Sequence, residues 1–409
     1  MLNKNNEREL AYLITVDAIT PIEGYDRVEL AHVGGWTIVV GKNEFHAGDP
    51  AIYFEIDSKL PEVEPFINME FLAKKHYKIK TQKMCRVLSQ GLLMSAANFG
   101  WQIIEGDNCA IVDNEGNYHR VDNESRFLTK QLGITYAVAE DNKRKASNNS
   151  NAKINSALAR HPKIAKKYGK FIKNYKFAKW LFLLMCGDHH DKKSDWPAWV
   201  KKTDEERIQN IPWILNDKEP WVATEKIDGS STTFTMKRGK WPHKDEFYVC
   251  SRNVVFDKPD KTCFYDTNVY IEMAEKYDIY NKMKDLLYNY FTDCEWITIQ
   301  GETYGPGIQK RDYHAPEHDF MAFNFITSKD GRWGTEKMID LLQKHIGIPC
   351  VPVLNTNFIL PDTVEELLAY ATAESVCDHD LREGIVFRSK DGSKSFKAVS
   401  NEFLLKYHQ

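Results

Sequence analysis

The sequence predicts an α+β protein in three parts: a small β-barrel over residues 1–115, a basic helical connector over 116–205, and a domain of antiparallel sheets and helices over 206–409. Three observations predict it. The first part carries short apolar runs separated by turns that contain Gly, Pro or Asp. A block from Lys143 to Lys179 then holds twelve Lys or Arg and no Asp or Glu. From about residue 205 onward, strand-like and helix-like patterns mix without an internal repeat. A chain of 409 residues has room for two or three domains.

In the first part, Leu10–Val16, Val28–Val33, Trp36–Val40, Ala51–Ile56, Tyr77–Met94 and Cys109–Val112 read as strands, the Tyr77 stretch being long enough for two. Pro21-Ile22-Glu23-Gly24, Gly34-Gly35, Gly48-Asp49-Pro50 and Glu105-Gly106-Asp107 read as turns. Short strands at this spacing suggest a barrel, of OB type. Lys74–Arg86 adds six Lys or Arg beside His76 and Tyr77. A basic, aromatic-bearing face of this kind suits nucleic acid; a lysine-protected edge strand is the structural alternative.

In the connector, Asn142–Asn151 reads as a polar loop. Ile154, Leu158, Ile164, Tyr168, Phe171, Ile172 and Tyr175 recur at helical spacing, with Pro162 dividing two helices. The net charge is −3, so the basic block leaves −15 on the rest of the chain. Such a block suggests a polyanion partner or a solvated basic face. Cys186, His189, His190 and Asp191 have donors for zinc but no second ligand pair at suitable spacing.

Composition excludes several classes. With 42 % hydrophobic and 28 % charged residues, the chain is neither collagen-like nor disorder-dominated. Its longest apolar run, Trp180–Cys186, is far short of the ~20 residues of a membrane span. The start, Met1–Leu10, is too polar for a signal peptide. Eight cysteines without a Cys-x-x-Cys pair read as reduced thiols in an intracellular protein.

The chemistry centres on Thr224-Glu225-Lys226-Ile227-Asp228-Gly229-Ser230-Ser231, a Lys-x-Asp-Gly pattern after a strand. Alone it is a weak signal, equally a strand ending in an Asp-Gly turn. Five further blocks follow in order: Ser251-Arg252-Asn253, Gly301-Glu302-Thr303-Tyr304-Gly305, Phe320-Met321-Ala322-Phe323-Asn324-Phe325, Glu383-Gly384-Ile385-Val386-Phe387-Arg388, and Ser395-Phe396-Lys397-Ala398. The series resembles the covalent nucleotidyltransferases, the polynucleotide ligases and RNA capping enzymes, from Thr224 to Lys406.

That resemblance implies an ATP pocket of Thr224, Glu225, Lys226, Arg252, Glu302, Phe323 and Lys397, and a catalytic set of Lys226, Asp228, Arg252, Glu302, Glu383 and Lys397. Lys226 would be the nucleophile, which a lysine can be only when neutral. It therefore needs a nearby cation or a desolvated pocket to depress its pKa. Mg²⁺ or Mn²⁺ near Glu383, with Asp228 holding its waters, would supply that cation. Arg252 and Lys397 would hold phosphate oxygens, Glu302 the ribose hydroxyls, and Phe323 would stack on adenine for ~1–3 kcal/mol. Singly, each has a structural reading: Arg252 a surface ion pair, Glu302 and Glu383 solvated strand ends, Phe323 core.

DNA ligases and capping enzymes resemble each other in placing an OB domain after this core, as RNA ligase 2-type enzymes place another domain there. Here twelve residues follow Lys397 and the barrel comes first. This order resembles the RNA ligase 5 family, the Deinococcus-type ligases, as do the stretches Ile19–Glu29 and Gly48–Asp57. One departure is Val399, where related RNA ligases often show a second lysine. The resemblance implies an ATP-dependent RNA ligase that seals nicks in duplex RNA or RNA-containing duplexes through lysyl-AMP. It implies a monomer that binds through phosphates with little sequence specificity. The rivals are a ligase of DNA or mixed strands, a GTP-using enzyme, and a non-catalytic RNA-binding protein on a decayed core.

Overall fold

The computed structural model describes residues 1–5, 7–104, 110–121, 124–137, 196–202, 204–256 and 268–407, with single positions 166, 168, 172, 175, 178 and 182. Most of the basic block Lys143–Lys179, and all of the Cys186–Asp191 cluster, lie outside the described residues.

The N-terminal unit is built of short antiparallel sheets. Ala11–Thr15 pairs with Pro50–Phe54, which pairs with Leu92–Met94. Ala18–Ile22, Tyr25–Val33 and Trp36–Gly41 form a second sheet. Trp36, Ile38 and Val40 point inward at period two, as the sequence pattern requires. Ser89 Oγ accepts from Val39 N (3.1 Å) and Thr37 O from Gln90 N (2.7 Å), which ties this sheet to strand Val87–Ser89.

Three expectations change here. Pro21, read as part of a turn, lies in edge strand Ala18–Ile22, where the missing N–H costs no ladder bond. The long stretch from Tyr77 gives three short strands, Gln82–Met84, Val87–Ser89 and Leu92–Met94. Tyr77 is buried among Leu13, Phe54 and Ile79, so the basic run Lys74–Arg86 does not present that ring to solvent.

The boundary at 115 also falls inside packed structure. Tyr118–Arg120 pairs with Ala110–Val112. Leu128 and Ile134 join the core of Leu13 and Ile52, and Leu128 N donates to Ala11 O (2.8 Å). Residues 118–121 and 124–137 are thus strands and turns on the barrel unit, not connector helix.

The C-terminal unit holds two antiparallel sheets. One has the order Val353–Phe358, Trp221–Lys226, Gly384–Ser389, Ser395–Val399. The other has the order Val255–Phe256, Glu246–Ser251, Ser230–Lys237, Trp296–Tyr304, Asp319–Thr327, Gly331–Arg332. Period two divides the second sheet. Phe234, Met236, Ile297 and Ile299 face a core shared with helices Val269–Lys276 and Ile279–Asp285. Ser231, Thr233, Thr235, Thr298, Gln300 and Glu302 alternate with them and line the other face. Helix Val364–Ala371 closes the first sheet, its start capped by Thr363 Oγ1 accepting from Glu366 N (3.3 Å).

The two units dock through the Gly34-Gly35 turn. Gly35 has φ +78°, and a Cβ there would lie 2.4 Å from Val364 Cγ1. Only glycine meets both demands. Among the described residues, no helix is long and apolar enough to cross a membrane.

Candidate active site

The Lys-x-Asp-Gly pattern is the crossing point between the two C-terminal sheets. Lys226 ends a central strand of the four-stranded sheet, and Ser230 begins a strand of the six-stranded one. Ile227, Asp228 and Gly229 make the passage. A Cβ on Gly229 would lie 2.3 Å from Thr303 O, so the close approach of the sheets requires glycine. Asp228 N donates to Tyr313 Oη (2.7 Å), which fixes the turn.

Strand register brings the remaining blocks to this point. Lys226 pairs with Gly384, so Glu383 falls beside it, and Lys226 Nζ lies 2.7 Å from Glu383 Oε2. Ser231 pairs with Glu302. Val386 lies between Thr224 and Lys397. Gln300 pairs with Asn324 but Gly301 with Ala322, so Phe323 is the extra residue of a bulge. Bulges re-aim side chains, and this one turns Phe323 into the cleft. Thr224, Glu225, Lys226, Arg252, Glu302, Phe323 and Lys397 all line one open cleft. Glu383 reaches it through Lys226, and Asp228 is buried behind the turn.

Two of these side chains do other work than expected. Glu225 accepts from Ser375 Oγ and from Val376 N (2.9 Å), holding a neighbouring loop. Thr224 Oγ1 donates to Val386 O (3.1 Å) and accepts from Arg388 Nη1 (3.3 Å). Both therefore shape the wall of the cleft.

The electrostatics also differ from expectation. Burial alone would lower the Lys226 pKa, but Glu383, Glu302 and Asp228 outweigh it and raise it above the ordinary value. Burial pushes Glu302 up to about 8, helped by Glu383 and Asp228 and opposed by Lys226 and Arg252. The protein alone therefore keeps the lysine charged. Burial lowers the Lys397 pKa, with Lys226 and Arg207 adding to the effect and Asp204 opposing it.

Crowded carboxylates are what a divalent cation relieves. Among the described residues, no group of three His, Cys, Asp or Glu could hold a metal ion by itself. The donor set thus fits a cation that keeps waters and takes phosphate oxygens from a nucleotide, as Mg²⁺ does with one or two carboxylates.

The sequence reading missed three residues of the cleft. Asp204 pairs with both cations assigned to phosphate: Arg252 Nη2 at 2.8 Å and Lys397 Nζ at 3.2 Å. Glu205 takes Arg332 (3.2 Å) and Arg388 (3.5 Å). Arg388 is fully buried with its guanidinium 5.7 Å from the Phe323 ring, and burial lowers its pKa to about 10 against the pull of Glu205. Asp204 and Glu205 stood at the edge of the connector, and a bridge in which Lys397 N donates to Glu206 O (2.8 Å) helps bring that segment to the cleft.

A family model described as RNA ligase matches residues 219–408, and an OB-fold domain model matches residues 10–96. No curated protein matches the sequence significantly. The fold is similar to solved structures of the Naegleria gruberi RNA ligase. The form with pyrophosphate is 26 % identical, with TM-score 0.60, over 98 % of this chain and 99 % of that one. A variant with ATP and manganese is 25 % identical, with TM-score 0.62, over 98 % and 99 %. A variant with AMP and manganese is 25 % identical, with TM-score 0.61, over the same shares.

Proposed function

We propose that this chain is an ATP-dependent RNA ligase of the RNA ligase 5 (Deinococcus-type) family that seals 3′-OH/5′-phosphate nicks in duplex RNA. It acts as a monomer inside the cell, in RNA repair. One observation carries the reading: Lys226 stands where two sheets meet, 2.7 Å from Glu383, in a cleft that also holds Glu302, Arg252, Phe323 and Lys397. The order of an OB unit before the ligase core supports the family. The complexes of the Naegleria enzyme with ATP, AMP, pyrophosphate and manganese support the nucleotide and the metal.

Lys226 Nζ attacks the α-phosphorus of ATP. An N–P bond forms, the bond from α-phosphorus to the bridging oxygen breaks, and pyrophosphate leaves. The ammonium must first lose a proton, and Glu383 Oε2 is within reach of it. Mg²⁺ or Mn²⁺, held by Glu383 and through water by Asp228, would neutralise these carboxylates, favour the free amine and offset charge on the α-phosphate. Arg252 and Lys397 take phosphate oxygens in place of Asp204. Glu302 accepts from the ribose hydroxyls, and Phe323 stacks on adenine. Thr224 and Glu225 shape the adenine wall.

The AMP then passes from Lys226 to the 5′-phosphate of the RNA, and the adjacent 3′-OH displaces it to close the phosphodiester. The barrel unit and the basic connector hold the duplex beside the core, mainly through phosphates, so binding weakens with salt. The single lysine on this strand face, Lys397 with Val399 buried two residues on, leaves the phosphate grip to Lys397 and Arg252.

The test is joining of a nicked RNA duplex by the purified protein with ATP and a divalent metal. The proposal expects joining with ATP and not with GTP, and joining that persists when the strand ending in 3′-OH is RNA. Joining of all-DNA nicks in preference to RNA would overturn the substrate assignment.

A further inference from the structure

The hairpin between strands Ser230–Lys237 and Glu246–Ser251 reads Lys237-Arg238-Gly239-Lys240-Trp241-Pro242-His243-Lys244. Trp241 at its tip is 94 % exposed. An indole can bury on the order of 150–250 Å² when a partner covers it. The tip is also held in place. Arg238 N donates to Glu295 O, Gly239 N to Asp245 Oδ1 and His243 N to Lys240 O, each at 2.8 Å. Tyr288 Oη donates to Asp245 Oδ1 (2.6 Å), and the Arg238 guanidinium lies 4.4 Å from the Tyr288 ring. The fold therefore presents Trp241 on a fixed support.

Lys237, Arg238, Lys240, His243 and Lys244 stand around it, with Glu246, Asp293 and Glu295 on the same surface. Lys240 reaches Glu295 (3.0 Å) in an exposed pair of the kind that dissociates easily. Lys244 makes no ion pair among the described residues, and His243 precedes it in the chain. A protein partner would be expected to meet a wider apolar patch. One bare ring among cations fits a base with its flanking phosphates.

The hairpin also lies in line with the cleft. Ser231 and Lys237 share one face of the sheet, being six residues apart, and Ser231 lines the cleft. Seven steps of ~3.3 Å separate Ser230 from Lys237, about 23 Å in all. A stacked strand covers that distance in about seven nucleotides at ~3.4 Å each.

We propose that the Lys240–Lys244 tip is an RNA contact of this protein: Trp241, four residues beyond Lys237, stacks on an unpaired base about seven nucleotides or more from the reacting end, and Lys240, His243 and Lys244 take the adjoining phosphates. Paired bases inside a duplex are already stacked, so the contact favours a substrate with an unpaired base at that distance. This rests on the RNA ligase reading, and deepens it by giving the enzyme a preference for flanking single strand.

The experiment uses the full chain and fluorescein-labelled nicked RNA duplexes, read by anisotropy. One duplex has an unpaired extension beginning seven nucleotides from the nick, on either arm in turn. The other has paired arms of five. Trp241→Ala is expected to bind the extended RNA about tenfold more weakly on one arm, and the short duplex like the wild type. Lys244→Ala is expected to weaken binding to the extended RNA and to lower the slope of log affinity against log salt by about one. Both variants are expected to form lysyl-AMP at the wild-type rate. Equal affinity of Trp241→Ala and wild type for the extended RNA on both arms would overturn the proposal. So would an equal loss on the short duplex. Lysyl-AMP formation by the wild type is read separately, so failure of the ligase reading shows as missing label while anisotropy still reports on the hairpin.

Discussion

The strand Ser230–Lys237 ends in two opposite settings. At its start lies the cleft, where charges answer one another: Lys226 with Glu383, Arg252 and Lys397 with Asp204, Arg332 and Arg388 with Glu205. At its end lies the hairpin tip, where Trp241 stands in water among Lys240, His243 and Lys244. The cleft is a balanced set of partly buried charges, so a change in one group shifts its neighbours. The tip is exposed, so a change there costs only what binds to it. Substitutions in the cleft should therefore disturb chemistry or stability, and those at the tip only the RNA.

The largest effect expected in the cleft is that of Glu383→Gln. It removes the negative charge 2.7 Å from Lys226 and one of the two carboxylates assigned to the metal. Lysyl-AMP formation should fall by about 10²–10³-fold, the scale of losing one group aimed at developing charge. RNA affinity should stay within about twofold. A parallel fall in RNA affinity would break the contrast between the two ends.

Arg388→Ala should act next, through stability. It strips Glu205 of a fully buried partner, and breaking such a pair typically costs about 3–5 kcal/mol. Differential scanning calorimetry should show the C-terminal unit melting several degrees lower. An unchanged melting temperature would mean that Arg332 alone satisfies Glu205.

Asp204→Asn should act in the opposite direction. It frees Arg252 and Lys397 from a carboxylate that ATP phosphates must displace. Exposed pairs are worth roughly 0.2–1 kcal/mol each, so freeing two of them should lower the KM for ATP by about two- to thirtyfold. A rise in KM would show that Asp204 positions the two cations rather than competes for them.

The last prediction is a pH dependence. Burial raises the folded pKa of Glu302 to about 8 from the ordinary 4.5. Between those values the folded state holds a proton that the unfolded state releases. Its contribution to stability is therefore present below the unfolded pKa and is lost as pH rises through about 8. The melting temperature of nucleotide-free Glu302→Gln, compared with wild type, should gain as pH is raised over that window and level off above it. A constant difference would contradict the raised pKa.

How much was legible in the sequence follows the same contrast. The six blocks could be read because each is local: a lysine two before Asp-Gly, or Glu383 just before Gly384. Strand register then brought them together, as Lys226 opposite Gly384 and Ser231 opposite Glu302 show. Phe323 was legible by resemblance, but its route into the cleft was not, because a bulge depends on pairing with a strand over twenty residues away. Asp204 and Glu205 carry no local signature, and Arg388 stood in the Glu383–Arg388 block without a role; what all three do arises from packing across the whole domain.

The two basic, aromatic runs teach the same lesson. Lys74–Arg86 was read as a nucleic-acid face, yet Tyr77 turns into the core at φ +57°. The Lys237–Lys244 run has a similar composition and drew no notice, yet its turn puts Trp241 outside. Composition names the candidates, and turn geometry decides which ring is free to stack.

The measurement that bears most directly on the whole account is trapping of the covalent intermediate. Wild type and Lys226→Ala would be incubated with α-labelled ATP and Mg²⁺ or Mn²⁺, then run on a denaturing gel. The account predicts label held by the wild type, released on adding pyrophosphate, and absent from the variant. Label on Lys226→Ala equal to wild type, or none on the wild type with metal, pH and nucleotide all varied, would contradict it.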